Sequence, residues 1–232
     1  MSLLQNPYWL YPVATGPKVV QSSGSVIVQG TSTNITFTMP SNVTAGNALL
    51  VMAEGYGVGG VTTPAGWTQY SVAGANAVDS SVAILIAANV AAGTNTVTVA
   101  CPNWQSYQSG AMAEISGLSS TVPDISAIYN PGANINAPFT ATATSTSNTT
   151  SANELLFYVL SIAQASIGTV TYTTPAGYTT LFDANDDSVD ACGIGGYLEV
   201  SSIQTTPSVS VGVAGTASSP YAAPVLYLIS LH

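Results

Sequence analysis

The acidic side chains supply nearly all the charged chemistry in this 232-residue chain. Glu54, Glu114, Glu154 and Glu199 lie in or beside apolar runs, where burial raises a carboxyl pKa. Two such carboxyls held about 5–9 Å apart form the device that hydrolyses glycosides. Nothing in the spacing selects a pair, and the simpler expectation is that each points outward or caps a strand edge. Asp183, Asp186, Asp187 and Asp190 crowd the stretch Asp183-Ala-Asn-Asp-Asp-Ser-Val-Asp190. Such a loop offers Ca²⁺ the oxygen ligands it takes, about six to eight of them, but it lacks the glycine and closing glutamate of an EF-hand. A solvated acidic hairpin tip is the preferred expectation, and no other cofactor is expected.

The rest of the catalytic repertoire is sparse. The chain has one lysine, Lys18, no arginine, and one histidine, His232, its final residue. A Ser-His-Asp or Cys-His device needs a base held rigidly by a third group, and chain ends usually fray. The glycines of Gly55-Tyr-Gly-Val-Gly-Gly60 precede no helix and no basic residue, so they do not make a phosphate loop. These residues point away from an enzyme.

Aromatic residues offer binding instead. Trp104 and Tyr107, in Pro102-Asn-Trp-Gln-Ser-Tyr-Gln108, are candidate glycan contacts. Tyr8, Trp9 and Tyr11 lie between Pro7 and Pro12. They read as part of an extended arm, residues 1–24, that docks on a neighbouring subunit through aromatic anchors. The competing expectation is an edge strand covering the chain's own core. Cys101 and Cys192 are expected to be buried thiols, although the spacing leaves a disulfide open.

Charge narrows the partners. A net charge of −9 with a single lysine leaves no basic patch, so no nucleic acid partner is expected. The longest apolar runs, 82–88 and 222–229, fall well short of the roughly 20 residues a membrane helix needs, and Pro224 breaks the second. No membrane partner is expected either. The start, Met1-Ser-Leu-Leu-Gln-Asn-Pro7, lacks the basic and apolar segments of a secretory signal. The expectation is folding in a host cytoplasm followed by work outside it. With 47% apolar and only 5% charged residues, the surface must be built from Ser, Thr, Asn, Gln and Gly.

The elements that must position these residues are strands. Segments 25–28, 34–39, 48–54, 67–72, 80–87, 94–100 and 109–115, then 139–144, 154–162, 178–182, 193–200, 208–213 and 225–231, are predicted strands, separated by Gly, Pro and Asn turns. Residues 94–100 and 208–213 alternate with period two, as half-buried strands do. The unbroken apolar runs 48–53 and 155–160 predict strands covered on both faces. The chain also repeats itself. Thr63-Pro-Ala-Gly-Trp-Thr68 returns as Thr174-Pro-Ala-Gly-Tyr-Thr179, Gly46-Asn-Ala-Leu-Leu50 as Ala152-Asn-Glu-Leu-Leu156, and Ala113-Glu-Ile-Ser-Gly-Leu118 as Tyr227-Leu-Ile-Ser-Leu231. Trp67 and Tyr178 share a repeat position, which assigns them a common core role. The expected architecture is all-β: an antiparallel, jelly-roll-like β-sandwich with two pseudo-equivalent halves. These are 25–120 and 121–232, packed as one compact unit.

Together with Ala87-Ala-Asn-Val-Ala-Ala-Gly-Thr-Asn-Thr-Val-Thr-Val99, these motifs resemble a class of β-sandwich modules found in phage virion proteins and bacterial surface proteins. The resemblance spans residues 25–232. It implies a structural protein on the outside of a phage virion, in first place a capsid decoration (cement) protein that is homo-oligomeric and touches capsid or other virion subunits. The alternative is a glycan-binding tail-fibre or cell-surface adhesin module.

Overall fold

The computed structural model describes residues 16–30, 32–57, 60–73, 80–163, 170–184, 191–215 and 222–232. Sixteen strands run through them. They are β1 (Lys18–Ser22), β2 (Val26–Gln29), β3 (Asn34–Thr38), β4 (Ala48–Tyr56), β5 (Thr68–Ala73), β6 (Ser80–Ala87), β7 (Thr96–Ala100) and β8 (Gln105–Ser116). There follow β9 (Ser126–Tyr129), β10 (Phe139–Thr144), β11 (Glu154–Ala163), β12 (Val170–Thr173), β13 (Thr179–Ala184), β14 (Ala191–Val200), β15 (Ser208–Gly215) and β16 (Ala222–Leu231). Every pairing between them is antiparallel.

The strands form four sheets. One large sheet has the order β1-β8-β4-β6-β5, with β2 also on β8. The other has the order β9-β16-β11-β14-β13. The small sheets are β3-β7 and β10-β15-β12. Alternating side chains of the central strands serve two cores each. Leu50 and Met52 of β4 meet Leu155, Phe157 and Val159 of β11 in a core between the two large sheets. Leu49 and Val51 point the other way, to Ile35, Phe37, Val97 and Val99 of the β3-β7 sheet. Leu156, Tyr158 and Leu160 point outward from β11, to Ala141, Val209 and Val211 of the third sheet. Three apolar cores therefore alternate with four sheet layers, and this is why the runs 48–53 and 155–160 are apolar without a break.

The outer faces look different. Thr36 and Thr98 share a hydroxyl hydrogen bond of 2.9 Å across β3-β7, as do Thr142 and Ser210 at 2.9 Å and Thr144 and Ser208 at 2.8 Å across β10-β15. These exposed cross-strand pairs are uncharged. They replace the lysines and glutamates that usually keep a sheet face wet.

The repeated Thr-Pro-Ala-Gly-aromatic segment forms the same turn twice. Gly66 and Gly177 both hold φ +82°, the conformation that position i+2 of a type II turn requires of glycine. The Trp67 N–H donates to the Pro64 carbonyl at 3.1 Å, and the Tyr178 N–H to the Pro175 carbonyl at 3.1 Å.

Two sequence expectations need adjustment. Residues 18–22 do not belong to a free arm: β1 pairs with β8 of its own chain from Lys18↔Ser116 to Ser22↔Ala113. An edge strand needs few apolar residues, so Lys18-Val-Val-Gln-Ser22 gave no signal beside Pro17. The short edge strands β9 and β12 escape the sequence pattern for the same reason.

Both cysteines are buried thiols outside any disulfide. Cys101 lies in the core under β3-β7 and Cys192 in the core under β10-β15-β12, with both large sheets between them. A disulfide joining them would require unfolding. Burial also pushes the Cys101 thiol up to about 12, which removes the reactive thiolate. The native chain is expected to resist an aromatic disulfide reagent and to titrate two thiols in denaturant. Rapid reaction of either thiol in the native state would contradict this placement.

Candidate functional site

Trp104 is not an exposed platform. It is 3% exposed and belongs to the core under β3-β7. Its indole lies so close over Gly55 that a Cβ there would come within 2.7 Å of Trp104 Cδ2. The aromatic density that suggested a sugar contact is core packing, and the glycines of 55–57 make room for it. Tyr107 is half-buried and packs beside the outer core of the second large sheet. Trp67 is partly buried against the core under β3-β7, and Tyr178 against the core under β10-β15-β12. Tyr178 meets Tyr158 edge-on, with ring centroids 5.2 Å apart.

Tyr8, Trp9 and Tyr11 lie outside the described residues, as do Asp186, Asp187 and Asp190. Asp183, on β13, is exposed, and partial burial of its carboxyl still raises its pKa.

The glutamates divide by environment. Glu199 is exposed, but Glu54, Glu114 and Glu154 are each 1% exposed, so of the expectation that each points outward or caps a strand edge the first alternative fails for these three. Each is retained by hydrogen bonds from its surroundings, as buried carboxyls must be. Glu54 stands on the face of β4 that also carries Leu50 and Met52, so it enters the central core. Ser109, its cross-strand partner on β8, donates to one carboxyl oxygen. Ser161 on β11 donates to the other at 2.8 Å. Gly193 on β14 faces the same carboxyl: a Cβ there would sit 2.7 Å from both Glu54 Cδ and the Leu160 carbonyl oxygen. Burial pushes the Glu54 carboxyl from 4.5 to about 7, although both serines favour its charged form. The group is a polar plug joining the two large sheets, sealed from any substrate.

Glu114 has a different task. Gln21 donates to it at 2.6 Å, the Thr44 N–H at 2.9 Å and Asn47 at 2.6 Å. Burial alone would raise its pKa, but these donors outweigh burial and hold it below the usual range. It clamps the 44–47 turn to β1 and β8.

The third cluster, Asp124, Glu154 and His232, is one that sequence reasoning missed. Asp124 lies in the connection between β8 and β9, Glu154 opens β11, and His232 follows β16. One ligand atom from each lies within 4.8 Å of the others. Strand pairing assembles the cluster. The Asp124 N–H donates to the Ser230 carbonyl at 3.0 Å, the Ser230 N–H to the Ile125 carbonyl at 3.1 Å, and the Ser119 and Ser120 N–H groups to the His232 carbonyl at 2.9 and 3.1 Å. Both oxygens of Asp124 accept from Thr150, one from its N–H and one from its hydroxyl at 2.7 Å. Burial raises the Asp124 pKa, but Thr150, Glu154 and the His232 charge lower it further. Glu154 moves upward, through burial first and the Asp124 carboxylate after it. The two acids therefore part in pKa, one poised to hold charge and its neighbour to hold a proton. The sequence signal was Glu154 standing in Ala152-Asn-Glu-Leu-Leu156 where the similar segment Gly46-Asn-Ala-Leu-Leu50 has Ala48.

Comparison with known proteins returned no matching family model, no matching curated protein and no matching solved structure.

Proposed function

We propose that this chain is a non-enzymatic structural protein on the outside of a phage virion, in first place a capsid decoration subunit that folds in the host cytoplasm and attaches to a shell as a homo-oligomer. Its architecture in this reading is a duplicated, jelly-roll-like β-sandwich. Support for the duplication comes from the two large sheets, in which five strands correspond in order, β1 to β9, β8 to β16, β4 to β11, β6 to β14 and β5 to β13, and β2 alone has no counterpart.

The observation that carries the function is the pairing of a thick, multi-layered core with outer sheet faces of uncharged hydroxyl ladders. Such faces depend little on ion pairs, so their hydration varies little with salt. The net charge of −9 does not favour the genome side of a shell. The acids that chemistry would recruit are instead turned inward, where Glu54 and Glu114 tie strands together. Weak attachment repeated by symmetry gives strong avidity, so a shell subunit needs no deep pocket. The glycan-gripping alternative keeps Tyr107 but loses Trp104 as a contact.

Two measurements test the proposal. Quantitative mass spectrometry of gradient-purified particles should find this chain at a fixed ratio to the main coat subunit. Complete absence from particles would overturn the proposal, and a small tail-like count would move the chain to a fibre. Deleting residues 2–12 should weaken attachment severalfold or more while leaving the melting temperature of the sandwich unchanged. Attachment at full strength would remove the docking role of Tyr8, Trp9 and Tyr11.

A further inference from the structure

We infer that Asp124, Glu154 and His232 form a binding site for one transition-type divalent cation, of which Zn²⁺ is the representative. The juxtaposition of two carboxylates and an imidazole within 4.8 Å is one observation. A second, independent observation is the state of the buried polar atoms there. Glu154 is 1% exposed. Its Oε1 accepts the Ser151 N–H at 2.9 Å, while its Oε2 is sealed from solvent with no partner at full hydrogen-bond geometry, the Ser230 and Asp124 side chains being the polar groups beside this carboxyl. His232 Nδ1 is likewise sealed and without a partner. A buried acceptor left unmatched is costly.

A proton shared between Asp124 and Glu154 would match Oε2 and leave the imidazole nitrogen unmatched. A cation matches both, and it lets two adjacent carboxylates be charged together. The donor set selects the class of cation. Ca²⁺ and Mg²⁺ prefer shells made wholly of oxygen, whereas imidazole beside carboxylate suits zinc and its neighbours. His232, with Ser119, Ser151 and Asn153, lines a cleft of about 180 Å³. Through it an ion can enter and keep water at its remaining positions. The supporting groups are also in place: Thr150 holds Asp124, and Ser151 holds Glu154, as outer partners orient metal ligands elsewhere. A bound ion would clip the connection between the halves to the first residue of β11 and the end of β16.

The test uses the full chain, stripped with chelator, near neutral pH. Calorimetric titration with Zn²⁺ should find one equivalent bound. His232→Ala and Asp124→Asn should each weaken binding at least about tenfold. Zinc at about a hundredfold excess over its Kd should raise the melting temperature by roughly 5 °C or more in the native chain and leave His232→Ala unmoved. Co²⁺ should give visible d–d bands that His232→Ala abolishes. If Asp124→Asn fails to fold through loss of the Thr150 contacts, His232→Ala still decides the matter, because His232 lines the cleft. The inference is overturned by no binding, by undiminished binding in His232→Ala, or by Ca²⁺ binding as tightly as Zn²⁺.

Discussion

Glu54→Gln is expected to stabilise the protein by roughly 3 kcal/mol at about pH 8 and to leave its stability nearly unchanged near pH 4, since the native carboxyl titrates at about 7 and the unfolded one at 4.5. The native state holds its proton where the unfolded chain has already released one. Between these two values each rise of one pH unit therefore favours the unfolded state by about 1.4 kcal/mol. The contribution of Glu54 is fully present below pH 4.5, falls as pH rises, and is gone above about 7. Glutamine keeps the shape and can hydrogen-bond Ser109 and Ser161 without ever needing to ionise. Urea unfolding of both proteins across this range provides the comparison. Glu114 and Asp124, held below the usual range, act in the opposite direction at acid pH, but they are common to both proteins and cancel in the difference. Parallel curves for wild type and Glu54→Gln would mean that the native carboxyl is already ionised at acid pH. Glu54→Ala, in contrast, should lose stability at every pH, because it leaves both hydroxyls facing a cavity.

The paired environments of Glu54 show where sequence reading stops. The run around it, Leu49-Leu-Val-Met-Ala-Glu-Gly55, announces a strand buried on both faces, and β4 is one. Period-two alternation announced β7 and β15 equally well, since one face of each meets the core while the other meets water. The repeat of Thr-Pro-Ala-Gly anticipated two turns of the same geometry. Pairing across distant segments was not legible. Ser109 and Ser161 are unremarkable serines until β8 and β11 bring them to one carboxyl from opposite sheets. His232 looked like a fraying end, yet β16 pairs with β11 from Leu155↔Leu231 onward and sets the imidazole beside Glu154. Trp104 failed for the opposite reason: an aromatic flanked by polar residues reads as a surface group, and only the glycines at 55 and 57 betray the space that receives it.

Phe157→Ala should cost about 3–5 kcal/mol and lower the melting temperature by roughly 10 °C, in a single transition. Phe157 is fully buried in the core that the two large sheets share. Its cross-strand neighbours are Tyr197 on β14 and Ile229 on β16, and its ring lies 6.1 Å from that of Tyr197. Truncation would leave a void among residues of both large sheets that close packing cannot fill without moving whole sheets. Phe37→Ala provides the contrast. Phe37 is also fully buried, but in the outer core under β3-β7, whose members all lie between Val26 and Met112. If the shared core makes the chain one cooperative unit, both substitutions lower the same transition, and calorimetric and van't Hoff enthalpies agree in each variant. If the halves melt separately, Phe37→Ala moves one transition alone. A Phe157→Ala variant with one transition shifted and a second untouched would show that the central core contributes little to holding the halves together. The large sheets would then be neighbours rather than one body, and Glu54 with its serines would remain as the main tie across them.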